Sequence, residues 1–222
     1  MADPIKLAGP EAGPASGGAP DSLVVLVHGY GADGNDLIGL APHFAQALPD
    51  AAFVSPHAPY PCEMAPFGRQ WFNVWNEDPV SRLDEIRHAA AILDGFIDER
   101  CAAIGIAEDR LALLGFSQGT MMSLFVAPRR AVPCAGVLGY SGRLEGADLL
   151  AAETVARPPV VLVHGDSDEL LPLHRLQHAE AALAENGFDV ATHVRPGLGH
   201  GIDEAGIEIG RRFLASRLGT AP

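Results

Sequence analysis

Three stretches of this chain are apolar without a break: "LVVLV" at Leu23–Val27, "LALL" at Leu111–Leu114 and "VVLV" at Val160–Val163. A strand with one wet face alternates apolar and polar residues, so a continuous β-branched run belongs to a strand covered on both faces. Weaker runs of the same kind are "AAFVSP" (51–56), "AGVLGYSG" (135–142) and "FDVATHVRP" (188–196). Helical patterns stand between them. "DLIGLAPHFAQAL" reads as a helix starting at Asp36. "SRLDEIRHAAAILDGFIDERCAAIGI" is the longest pattern, with Ser81 as a cap and an apolar stripe through Leu83, Ile86, Ala90, Leu93 and Ile97. "QGTMMSLFVA" stops at Pro128, and "LHRLQHAEAALAENG" closes on Asn186 and Gly187. "IDEAGIEIGRRFLASRL" is the last. Strands that alternate with helices predict an α/β fold, a mostly parallel central sheet with helices on both faces.

The 222 residues contain no internal repeat and no composition break, so residues 23–222 are expected to form one domain. Residues 1–22, rich in Gly, Pro and Ala, read as a loosely ordered arm or a short hairpin. They carry one lysine and no apolar segment of the secretory kind. No stretch is apolar for the ~18 residues of a membrane span. Net charge is −13, and no run of Lys or Arg builds the basic face that nucleic acid or an anionic membrane would need. The three cysteines, Cys62, Cys101 and Cys134, are odd in number, widely spaced and without a CxxC, and read as reduced thiols.

In an open parallel sheet, ligands bind beyond the carboxyl ends of the strands. Four apolar runs are followed there by polar, glycine-rich segments: "HGYGADGND", "GFSQG", "HGDSDELLP" and "GLGHGID". In chain order they supply a serine, aspartates and a histidine. Acyl transfer needs a nucleophile, a base to accept its proton and an acid to orient the base. Ser117 lies between Gly115 and Gly119 where a strand gives way to a helix, as in a nucleophile elbow, and the order Ser, Asp, His is that of an α/β hydrolase. For the acid, Asp166 and Asp168 both qualify. For the base, His200 is placed best, between the last strand and the last helix. His174 and His178 stand four apart on a helix but without the glutamate of an HExxH zinc motif. His28 and His164 end strands and read as turn-packing residues. Two backbone N–H groups should face a developing oxyanion, one from Gln118 after the nucleophile and one from the early "HGYG" loop, at Tyr30.

On "LVHGYGADGNDL", "FVSPHAP", "RQWF", "GFSQG", "HGDSDELLP" and "GLGHGI" together, the chain resembles the phospholipase/carboxylesterase family of α/β hydrolases, which includes acyl-protein thioesterases and small bacterial carboxylesterases. The likeness runs from about Leu23 to the C-terminal helix. It implies the α/β-hydrolase fold, the catalytic set Ser117, Asp168 and His200, and oxyanion donors on Tyr30 and Gln118. It also implies that Trp71 and Phe72, in the aromatic segment 57–73, line the acyl side of the cleft, unless they simply cover the core. The family commonly has leucine where this chain has Tyr30. The resemblance further implies a cytoplasmic enzyme without cofactor or metal, acting on a small acyl ester or thioester and often dimeric. The expectation is a serine carboxylesterase for short- to medium-chain esters, with an acyl-protein thioesterase or lysophospholipase as the alternative.

Overall fold

The computed structural model describes residues 5–219. In chain order its elements are β1 (Glu11–Ala12), β2 (Ser22–Val27), α1 (Gly34–Ile38), α2 (Ala41–Ala45), β3 (Ala51–Val54), the small hairpin of β4 (Tyr60–Pro61) and β5 (Arg69–Gln70), α3 (Pro79–Ile104), β6 (Leu111–Phe116), α4 (Gln118–Val126), β7 (Gly136–Tyr140), α5 (Leu150–Glu153), β8 (Val160–Gly165), α6 (His174–Glu185), β9 (Val190–Arg195) and α7 (Glu204–Leu218). The main sheet has seven strands in the order β1-β3-β2-β6-β7-β8-β9. All neighbours pair in parallel except β1, which runs antiparallel to β3 at one edge. This is the α/β-hydrolase fold.

The continuous apolar runs divide between the two faces as the pleat requires. Leu23, Val25, Val27, Leu111, Leu113, Val137 and Leu162 point into one core layer with α3, α4 and α6. Their neighbours Val24, Leu26, Ala112, Leu114, Leu138, Val161 and Val163 point into the other, with α1, α2 and α7. Central strands β2, β6, β7 and β8 are buried almost throughout, whereas β9 is only partly covered at its edge. Full burial of each such side chain contributes roughly 1.5–3 kcal/mol, so these strands are the most heavily stabilised part of the fold.

Local details depart from the sequence-based expectations in three places. The helix expected over 36–48 is two short helices, capped first by Asp33 rather than Asp36 and broken between Ile38 and Ala41, with Pro42 in the first turn of the second. Proline has no N–H to offer the preceding turn, so it starts a helix better than it continues one. The long helix starts two residues before Ser81, at Pro79, because the Asp78 carboxylate accepts from the N–H groups of Val80 and Ser81. Within the arm, residues 1–4 lie outside the described residues. The rest runs along the sheet: β1 pairs with Val54 and Phe53, Glu11 pairs with Arg100 of α3, and Ser16 N donates to Pro49 O.

No described helix is long and apolar enough to cross a membrane. Cys62, Cys101 and Cys134 are unpaired and buried, and burial pushes the Cys134 thiol up to about 12.

The tightest packing lies where α4 leaves β6. A Cβ on Gly119 would stand 1.7 Å from the Val27 carbonyl oxygen, and one on Gly115 2.4 Å from the Thr120 nitrogen. Both obstacles are backbone, which no rotamer change can move aside. Gly119→Ala is therefore expected to destabilise the fold by about 3 kcal/mol, lowering the thermal midpoint by roughly 10 °C. A midpoint within 2 °C of wild type by circular dichroism would show that helix and strand are not in contact here.

Candidate active site

Ser117 follows β6 and precedes α4, at φ 53° and ψ −115°. A non-glycine residue with positive φ is strained and persists only where its surroundings hold it. Here Ser117 N donates to Tyr140 O at 2.9 Å, and Ser117 O accepts from Met121 N as the first helical bond. The turn directs Oγ to His200, which comes from the loop between β9 and α7. Ser117 Oγ lies 3.0 Å from His200 Nε2, and His200 Nδ1 lies 2.7 Å from Asp168 Oδ2. Asp168 Oδ1 accepts from Leu170 N and Leu171 N, so the carboxylate is fixed in a buried loop end. Asp166, the other candidate, is turned away: its Oδ1 accepts from Gly197 N and Ser167 Oγ at the surface. The Phe116 ring packs against the imidazole with centroids 5.1 Å apart. A hydroxyl, an imidazole and a carboxylate in this order can move a proton off the hydroxyl and hold the resulting imidazolium.

Gln118 N and Tyr30 N are the two expected oxyanion donors, and Gly29, just before Tyr30, packs against Phe116 and Ser117. Gln118 N is at the first position of α4, where no intrahelical acceptor exists. Tyr30 N, in the loop after β2, has no partner among the hydrogen bonds of the described residues. The loop carrying Tyr30 is braced by His28, which is buried. His28 Nε2 accepts from Ala58 N at 2.9 Å, Nδ1 lies 2.8 Å from Gly29 O, and the His28 carbonyl accepts from Trp71 Nε1 at 3.0 Å. Burial holds the His28 pKa below its usual value, in keeping with a neutral ring that donates at one nitrogen and accepts at the other. The Tyr30 phenol accepts from Trp75 Nε1 at 3.3 Å, and its pKa is raised by desolvation and by Cys62 beside it.

Trp71 and Phe72 do not stand open in a cleft. They are 0% and 1% exposed and belong to the core layer under α3 and α4. The Gln118 side chain fastens them there: Oε1 accepts from Trp71 N at 2.9 Å and Nε2 donates to Phe72 O at 2.8 Å. Phe72 also borders a cavity of about 590 Å³ shared with Tyr60, Gln70 and His88. The apolar groups that do reach solvent in this excursion are Met64, Phe67 and Trp75.

Sequence reasoning missed three contributors. The Gln118 side chain was read only for its backbone N–H. His164 is more than a turn residue: its Nε2 donates to Leu171 O at 2.7 Å and stands 3.4 Å from Asp168 Oδ2, which steadies the loop carrying the carboxylate. Ser141, at the end of β7, donates to the Gly201 carbonyl. The Gln118 and Ser141 contacts join residues 46 to 60 positions apart and leave no local pattern, whereas those of His164 stay within seven residues.

Fold and constellation together define a hydrolase of the α/β class. The chain belongs to the Phospholipase/Carboxylesterase family, whose profile matches residues 15–218, and it is an ester hydrolase of that family. It is 29% identical to Esterase YpfH of Escherichia coli K12, across 84% of this chain and 78% of that one. It is 27% identical to Acyl-protein thioesterase 1 of Neurospora crassa, across 89% of this chain and 87% of that one. Among solved structures, the crystal structure of esterase PE8 superposes with a TM-score of 0.91 at 38% identity, covering 96% of this chain and all of that one.

Two outcomes follow from the site's supports. Gln118→Ala keeps the backbone N–H but leaves Trp71 N and Phe72 O unpaired in the core, which costs about 1–3 kcal/mol. Differential scanning calorimetry should show a lowered midpoint, with ester turnover falling as the aromatic strap loosens. Asp203 caps α7, immediately after the His200 loop, by accepting from Gly206 N. Hydrogen bonds from Arg195 hold its pKa below the usual carboxylate range. A depressed folded-state pKa contributes stability that is present above the unfolded carboxyl pKa of about 3.9 and is lost as pH falls below it. The midpoint gap between wild type and Asp203→Asn should therefore be open at pH 7 and close towards pH 3; a gap unchanged across that range would refute the ion-pair account.

Proposed function

We propose that this protein is a serine carboxylesterase for short- to medium-chain acyl esters, working through Ser117, His200 and Asp168. The observation that carries the reading is the serine at φ 53° with its Oγ 3.0 Å from an imidazole whose other nitrogen is 2.7 Å from a buried carboxylate. Ser117 Oγ attacks the ester carbonyl while its proton passes to His200 Nε2. The oxyanion of the tetrahedral intermediate accepts from Tyr30 N and Gln118 N. As the intermediate collapses, His200 returns the proton to the leaving alkoxide and the alcohol departs. Water then gives its proton to His200 and its oxygen to the acyl carbon, and a second collapse frees the carboxylic acid and Ser117. Asp168 accepts from Nδ1 throughout and keeps Nε2 facing the serine.

Trp71 and Phe72 serve the acyl group from beneath, as a packed floor fixed by Gln118. Met64, Phe67 and Trp75 are the exposed apolar side chains of the excursion between β3 and α3, and Trp75 stands beside Tyr30. That surface also suits the longer acyl group of a thioesterase or lysophospholipase, and relatives that carry the name acyl-protein thioesterase make this the second reading. Three buried thiols with no disulfide fit a reducing, cytoplasmic setting.

The test is hydrolysis of p-nitrophenyl esters from acetate to palmitate, with matched acyl thioesters alongside. Wild type should turn over best below about ten carbons, and Ser117→Ala should lower kcat by roughly 10³-fold or more. An optimum at palmitate, or a clear preference for thioesters, selects the second reading. Ser117→Ala with wild-type turnover rejects the triad.

A further inference from the structure

Only two non-glycine residues among the described ones have positive φ, and they occupy equivalent places. Ser117 follows Phe116 at the end of β6. Ser141, at φ 46°, follows Tyr140 at the end of β7, and Phe116 and Tyr140 are register partners. Glycine would take Ser141's conformation without strain. A buried serine kept there points to a task for its hydroxyl.

The hydroxyl has one partner. Ser141 Oγ donates to the carbonyl of Gly201, the residue after His200, at 3.2 Å. The backbone of Ser141 is itself anchored, because its N–H donates to Val163 O at 2.9 Å and so ties it to β8. Tyr140 adds two links. Its carbonyl accepts from Ser117 N and from Thr120 Oγ1, and its phenol donates to Gly206 O in the first turn of α7. Through Tyr140 the end of β7 holds the nucleophile's turn, and through Ser141 and Tyr140 it holds the segment after the base at two points, Gly201 and Gly206. The residues before His200 are held from the other side, by Ser167 N donating to Leu198 O and by Gly197 N donating to Asp166 Oδ1, and the Ser141 hydroxyl holds the residue that follows it.

We propose that Ser141 is a positioning residue that sets the Ser117–His200 separation by clamping the Gly201 carbonyl to the end of β7. This rests on the reading of Ser117 and His200 as nucleophile and base. Proton transfer from hydroxyl to imidazole is steep in distance, and a displacement of about 1 Å can cost 10²-fold in rate. The clamp acts on the chemical step and leaves acyl binding alone.

The experiment compares wild type, Ser141→Gly, Ser141→Ala and Ser117→Ala on p-nitrophenyl acetate. Active sites are counted by stoichiometric release of p-nitrophenol from a p-nitrophenyl alkylphosphonate, at a temperature well below every variant's thermal midpoint. Ser141→Gly removes hydroxyl and strain together, and Ser141→Ala removes the hydroxyl alone. Both should lower kcat per titrated site by about 10- to 100-fold with KM within twofold, and the midpoint of Ser141→Gly should equal or exceed that of wild type. A residue needed only for folding would lower the midpoint and leave kcat per site unchanged. The proposal is overturned if Ser141→Gly keeps kcat within twofold while Ser117→Ala is inactive. Wild-type turnover by Ser117→Ala would instead remove the triad reading on which the clamp rests.

Discussion

The approach of α4 to the end of β2 is the constraint on which the rest of the site depends. With Gly119 seated against the Val27 carbonyl, the chain can reverse from strand to helix within a single residue. That residue is forced into positive φ, and its side chain is lifted clear of the sheet. The same close seating puts the first N–H of α4 beside the serine and brings Gln118 within reach of the aromatic strap. One backbone contact thus fixes the hydroxyl, one N–H donor and the covering segment together. A looser approach would free all three at once, since each takes its place from the same turn.

A second set of constraints comes from pairing across strand ends. The hydroxyl, the imidazole and the carboxylate sit on three separate loops, and no short-range geometry holds them. The fold instead routes them through polar contacts buried at the sheet's carboxyl edge: His28 to Ala58 and Trp71, His164 to Leu171, Tyr140 to Ser117 and Gly206. Such groups are costly to bury alone and stabilising once paired. Removing one partner leaves the other unsatisfied, so each contact is specific as well as favourable.

Much of this was legible in the sequence. The unbroken runs at 23–27, 111–114 and 160–163 identify strands covered on both faces, and β2, β6 and β8 lie there. Gly115, Ser117 and Gly119 mark the elbow because sterics dictate small residues at those places. His200 could be chosen among nine histidines because it follows the last strand. Asp168 could not be separated from Asp166 on local grounds, since both follow β8; in the structure Asp168 is buried, accepts from Leu170 and Leu171 N–H groups and faces His200 Nδ1, whereas Asp166 lies at the surface and accepts from Gly197 N–H. The family resemblance implies that Trp71 and Phe72 line the acyl side of the cleft, unless they simply cover the core. They lie in the core layer, with their backbone groups paired to a glutamine some 46 residues later, a pairing with no signature in either segment.

The burial of Trp71 and Phe72 changes how substrate selection should be understood. A wall residue selects an acyl group by shape, and substituting it reshapes the pocket. A floor residue acts by keeping other parts in place. Trp71 donates to the carbonyl of His28, two residues before Tyr30, while Gln118 reaches back to Trp71 from the nucleophile's side. Trp71 therefore links the two loops that carry the candidate oxyanion donors, through its indole N–H on one side and its backbone N–H on the other. The exposed apolar side chains of the excursion between β3 and α3 are Met64, Phe67 and Trp75, and Trp75 is tied to the Tyr30 phenol. Tyrosine at position 30 gives that indole a polar anchor at the rim, which a leucine would not.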